Sequence, residues 1–196
     1  MLIETLLLVE LSDIVERRTG NRSNIIPPRD MLLIHLRLGD VIDRTNYSVH
    51  EFLNNNISFI NGGLYVKPLS YYKGIVYQIK EFKIKSVTLI GGFHKPLKST
   101  TKSTAYMHKI KEYFESNNIK VYERLQQHDA DEDFIFMRNA EYFTPGGGGF
   151  SDLVRGVVWF RGKHIVSSNK NSTAECDVVG MWSSSVHQEL KPLLAG

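Results

Sequence analysis

The chain has 196 residues, 42% of them hydrophobic and 23% charged, and a net charge of +3. That length suits one globular domain with a real core, and the weak, scattered positive charge suits a small anionic ligand better than a nucleic-acid duplex, which calls for a basic stripe. Cys176 is the single cysteine, which excludes an internal disulfide and a cysteine-rich zinc site.

Leu2, Ile3, Leu6, Leu7, Leu11 and Ile14 recur at helical spacing and predict an amphipathic helix over 1–18, closing near Thr19-Gly20. Its apolar run from Leu6 to Val9 is short and bracketed by Glu4 and Glu10. No stretch reaches the length of a membrane span, so the expectation is a soluble, cytoplasmic chain without a signal peptide. A linker with Pro27-Pro28 follows. The domain reading is therefore 1–30 as helix and linker, and 31–196 as the main domain.

Residues 31–37 (Met-Leu-Leu-Ile-His-Leu-Arg) are nearly continuous in apolar character, as in a central parallel strand buried on both faces. His35, Arg37 and Asp40 then sit at or just past its carboxyl end, the edge at which open α/β sheets bind ligands. Residues 41–68 read as a long polar loop with a short helix near 49–53. A helix over 70–82, a strand over 86–91, a helix over 103–116, a strand over 119–123 and an acidic-fronted helix over 130–137 follow. Tyr71, Tyr72 and Tyr77 share one helix and read as packing residues, as do Trp159 and Trp182. A strand over 139–143, a helix through Leu153–Phe160, a strand over 163–167 and a helix within 178–194 complete the pattern. Alternating strands and helices predict an α/β fold, a Rossmann-like parallel sheet with flanking helices.

Thr144-Pro145 stops the strand before four consecutive glycines, Gly146 to Gly149, and Ser151 or Asp152 is placed to cap the next helix. Glycine admits positive φ and close backbone approach, and a helix N-terminus presents N–H groups and a positive dipole end. An anion site for phosphate and a plain connecting loop are both open readings, and the glycine density favours the first. No Gly-Lys-Ser/Thr follows, so this is not a Walker loop.

His35-Leu36-Arg37-Leu38-Gly39-Asp40, then Asp133-Phe134-Ile135-Phe136-Met137, a strand and a small-residue turn into a helix, occur in an order that resembles the fucosyltransferase superfamily, the α1,2-, α1,6- and protein O-fucosyltransferases. The resemblance implies a GT-B-type nucleotide-sugar-binding domain, GDP-fucose as donor, inversion at the sugar carbon, a glycan or protein acceptor, and catalysis without a metal or other cofactor. It places Arg37 on the β-phosphate and His35 against the nucleotide. Asp133 would lie on the guanine edge, and Gly148, Gly149, Phe150 and Ser151 on the diphosphate. Leu38 stands where some members carry a second arginine, glycines replace the usual Ser/Thr turn, and Gly91-Gly92-Phe93-His94 lacks the acids of the middle motif. An inverting enzyme needs a base for the acceptor proton. Asp40 ranks first, ahead of Asp43, His50 and His94. His35 also reads as a core histidine, Arg37 as a structural ion-pair partner, and Asp40 as a turn brace.

The leading expectation is a metal-independent, inverting glycosyltransferase using GDP-fucose or a related donor. The alternatives are a non-catalytic nucleotide-binding domain of a larger assembly and a structural module whose glycine loop meets a partner protein.

Overall fold

The computed structural model describes residues 2–20, 26–54, 65–92, 101–125 and 129–168. Helix α1 spans Leu2–Thr19, strand β1 Met31–Arg37, α2 Asp40–Asp43, α3 Val49–Asn54, α4 Leu69–Glu81, β2 Ser86–Gly92 and α5 Thr101–Ser116. Then come β3 Lys120–Leu125, α6 Ala130–Arg138, β4 Tyr142–Thr144, α7 Gly149–Phe160 and β5 His164–Ile165. The strands form one sheet in the order β3-β2-β1-β4-β5, and each neighbouring pair is parallel. The predicted α/β class, a Rossmann-like parallel sheet flanked by helices, is what the chain adopts.

Strand β1 shows why this sequence builds two layers of helix. Successive side chains on a strand point to opposite faces. Leu32, Ile34 and Leu36 join Tyr72, Ile75 and Ile79 of α4 and Tyr106, Ile110 and Phe114 of α5 in one core. Met31 and Leu33 point the other way, into a second core with Val15 of α1, Phe134 and Met137 of α6, and Val154 and Val158 of α7. Leu32 and Leu33 have no exposed surface, and burying a side chain of this kind stabilises by about 2 kcal/mol. His35 and Arg37 continue the Met31–Leu33 register, so the same alternation that fills the core carries them to the sheet edge on the α6–α7 side.

Helix α1 is fastened to the second layer. Arg138 of α6 is buried; it donates to the Ser12 carbonyl at 3.0 Å and also pairs with the Ser12 hydroxyl and the Glu16 carboxylate. Arg18 pairs with Asp131 at 3.1 Å. Across the sheet, Asp43 at the end of α2 accepts from the Lys102 and Ser103 backbone N–H groups at 3.1 and 3.2 Å, and from the Ser103 hydroxyl. The Gly39 N–H donates to the same Ser103 oxygen at 2.8 Å. The first turn of α5 thus has its carboxylate cap, supplied from the turn that follows β1.

Several expectations need correction. The segment after Asp40 is not simply loop, because α2 forms immediately on the Leu38-Gly39 bend. Asn139 closes α6 and β4 begins only at Tyr142. Trp159 is 46% exposed and Tyr77 63%, so neither is a core residue, whereas Tyr72 is buried. Cys176, Trp182, His94 and the helix expected within 178–194 lie outside the described residues.

Candidate nucleotide cleft

In the strand order β3-β2-β1-β4-β5 the chain runs outward one way from β1 through β2 to β3, then returns to start again at β4 on the other side of β1. The connections leaving β1 and β4 therefore diverge, and a crevice opens between them at the carboxyl edge. A cleft of about 730 Å³ occupies that place. Its walls are the ends of β1 and β2, the glycine turn after β4, the first turns of α6 and α7, and Tyr65.

The glycine turn lies against β1. A Cβ on Gly146 would stand 2.3 Å from the His35 carbonyl oxygen and 3.1 Å from the Arg37 nitrogen, so only glycine fits. Gly148 has φ 83° and ψ 159°, a region closed to other residues, and a Cβ added there would stand 3.3 Å from the Tyr65 ring. This conformation makes Gly148 the N-cap of α7, and among the described residues no side chain caps the helix. The expected cap by Ser151 or Asp152 is thus corrected: both lie inside the first turn. Ser151 is buried and accepts from the Gly146 N–H at 2.8 Å, bracing the turn from within. It is not part of the cleft lining, whereas Gly148, Gly149 and Phe150 are. First-turn N–H groups have no intrahelical acceptor, and with no side-chain cap the positive end of the α7 dipole faces the cleft.

On the opposite side, Arg37 lines the cleft and holds Asp40 through Nη2–Oδ1 at 2.9 Å. Asp40 itself is not part of the lining. His35 lies below, its ring 5.8 Å from that of Phe150 in an edge-on contact. Its Nδ1 is buried with no hydrogen-bond partner among the described residues. Burial first, and the neighbouring Arg37 charge second, lower its pKa from 6.5 to about 4, so the ring is neutral at physiological pH.

Asp133 lines the cleft from the first turn of α6, where its carboxylate receives the Arg124 Nε–H at 2.7 Å. Asp131, two residues earlier, is turned to Arg18 on α1. Asp43 is bound into the α5 cap, and His50 is exposed on α3. His35, Arg37, Asp133, Gly148, Gly149 and Phe150 are therefore brought together, while Asp40, part-exposed beside Arg37, and the buried Ser151 do not line the cleft.

Tyr65, Ala130, Met137 and the Ile90–Gly92 edge were not singled out as site residues. The double glycine at 91–92, where β2 ends, was the one available signal among them. Among the described residues no cluster of three or more His, Cys, Asp or Glu is arranged to hold a metal, and no helix is long and apolar enough to cross a membrane.

No protein-family model matches the sequence, nor does any curated protein. Among solved structures, the chain is similar to POFUT1 in complex with GDP-fucose in two crystal forms. One match has 12% identity and a TM-score of 0.43, covering 82% of this chain and 46% of that one. The other has 13% identity and a TM-score of 0.41, covering 80% and 42%. POFUT1 in complex with GDP matches at 16% identity and a TM-score of 0.41, covering 80% and 45%. The likeness is one of fold, and the chain spans less than half the length of the chains it matches.

Proposed function

We propose that the cleft binds a nucleoside diphosphate sugar and that the chain is an inverting, metal-independent glycosyltransferase, with GDP-fucose as donor and a glycan or protein as acceptor. One observation carries this reading. The uncapped, glycine-lined N-terminus of α7 and the Arg37 guanidinium face the same cleft at the topological switch point. In glycosyl transfer the acceptor oxygen attacks the sugar carbon from the face opposite the diphosphate. The carbon–oxygen bond to the β-phosphate then breaks, its electron pair leaves with the phosphate, and the acceptor's proton passes to solvent water. Arg37 would meet that charge with charge-assisted hydrogen bonds, and the N–H groups of Gly149 and Phe150 would add fixed donors. Neutral His35 would pack against the nucleotide. Asp133 would accept from the paired N1–H and N2–H₂ donors of guanine. Ser151 would act through the turn it braces.

A second reading, donor binding without transfer, is favoured by the state of Asp40. The carboxylate ranked first as base is engaged by Arg37 and does not line the cleft. GDP release from GDP-fucose in EDTA, with and without candidate acceptors, separates the two. The expected result is release that falls about a hundredfold in Arg37→Ala, the scale of removing one donor to developing charge. GDP binding without release supports the second reading, and equal release by Arg37→Ala contradicts the first.

A further inference from the structure

Asp133 is one of three acids in the first turn of α6 and the one of the three that lines the cleft, and Arg124 is paired with its carboxylate. Arg124 is near the carboxyl end of β3, the outermost strand on that side. Its Nε donates to Asp133 Oδ1 at 2.7 Å, and the two side chains are only 12% and 16% exposed. Its guanidinium carbon lies 4.5 Å from the centre of the Phe136 ring on the next turn of α6. The planar group is thus fixed by a stack on one side and an ion pair at its edge. A buried ion pair stabilises a fold little, because desolvation offsets the attraction. What this one does is orient: a carboxylate in a helix first turn is otherwise drawn to the helix's own N–H groups.

We infer that Arg124 is a positioning residue for base selection: it holds the Asp133 carboxylate toward the cleft, where it discriminates guanine from bases without paired donors. The inference rests on the proposed nucleotide reading of the cleft. Arg124 touches neither phosphate nor sugar in this role, so its removal should change base preference and leave diphosphate affinity alone.

GDP and IDP separate these effects, since IDP lacks only the 2-amino group that one carboxylate oxygen would receive. Titration of wild type and Arg124→Gln with GDP, IDP and pyrophosphate reads them together. Wild type is expected to favour GDP over IDP about tenfold, the scale of one hydrogen bond to a charged group. In Arg124→Gln that ratio should approach one, with pyrophosphate affinity unchanged. A general structural defect would weaken all three ligands and leave the ratio as it was, which overturns the inference. If Arg124→Gln does not fold, Arg124→Lys carries the test, since it keeps the charge but lacks the planar fork. Its ratio is expected to fall about threefold, and a wild-type ratio overturns the inference. A ratio of one in wild type removes the guanine reading of Asp133 and the inference with it. GDP preferred in wild type but preferred equally in Arg124→Gln removes the inference alone.

Discussion

His35 shares the strand register of Met31 and Leu33 but comes one step later, where the core gives way to the cleft. Its Nδ1 has no hydrogen-bond partner among the described residues, and burial together with Arg37 lowers its pKa to about 4. The unfolded chain takes up the same proton near the ordinary value of 6.5. Between these values the unfolded state binds more protons, so the stability this residue contributes is complete above pH 6.5 and declines as the pH falls toward 4. The shift corresponds to about 3 kcal/mol when the descent is complete. Urea unfolding of wild type and His35→Gln at pH 7, 5.5 and 4 should show the wild type losing that much more than the variant. Parallel losses would mean that the histidine is not held neutral. The order of residues 35–40 singled these side chains out and left Arg37 open as an ion-pair partner, which its pairing with Asp40 bears out. That Asp40 is held by Arg37, and Asp43 by the cap of α5, follows from the tight Gly39 turn, which no sequence spacing displays.

The element that makes the cleft is the turn between β4 and α7. Ala at Gly146 would drive a methyl into the β1 backbone, and neither chain can yield without breaking the sheet edge, so a loss of about 3 kcal/mol is expected. Ala at Gly148 should cost about 1–3 kcal/mol through its backbone conformation. Gly149 has open space at its Cβ and no positive φ, so Gly149→Ala should be nearly neutral. Urea midpoints of the three variants test this ordering, and equal midpoints would contradict it. The run of glycines was legible as a turn into a helix, because nothing else lines a turn so densely. The cap was not. Ser151 and Asp152 have the composition of cap residues, but the positive φ of Gly148 starts the helix earlier and folds Ser151 back onto Gly146. The start of β4 was misplaced for a related reason: Asn139 and Ala140 have no apolar alternation to separate a helix end from a strand.

At the scale of the molecule, strand–helix alternation was enough to read a parallel sheet with helices on both faces. β1 was legible as its centre because it is apolar on both sides. The strand order was not legible, since sequence order does not say on which side of β1 the fourth strand will lie. That choice is what opens the crevice: had β4 added beside β3, Arg37 and the α7 N-terminus would stand on separate parts of the edge. It also explains why Tyr65 was missed, for it has no motif and reaches the cleft only because the segment before α4 passes over the glycine turn. The central claim is that these parts form one site for a nucleoside diphosphate. Calorimetric titration of wild type and Arg37→Ala with GDP, UDP and ADP, in EDTA, tests it most directly. Saturable GDP binding without metal is expected, preferred over UDP and ADP, and weakened by about tenfold to a hundredfold in Arg37→Ala through loss of charge-assisted bonds to phosphate. Absence of binding by any of the three, or GDP binding indifferent to Arg37→Ala, would contradict it.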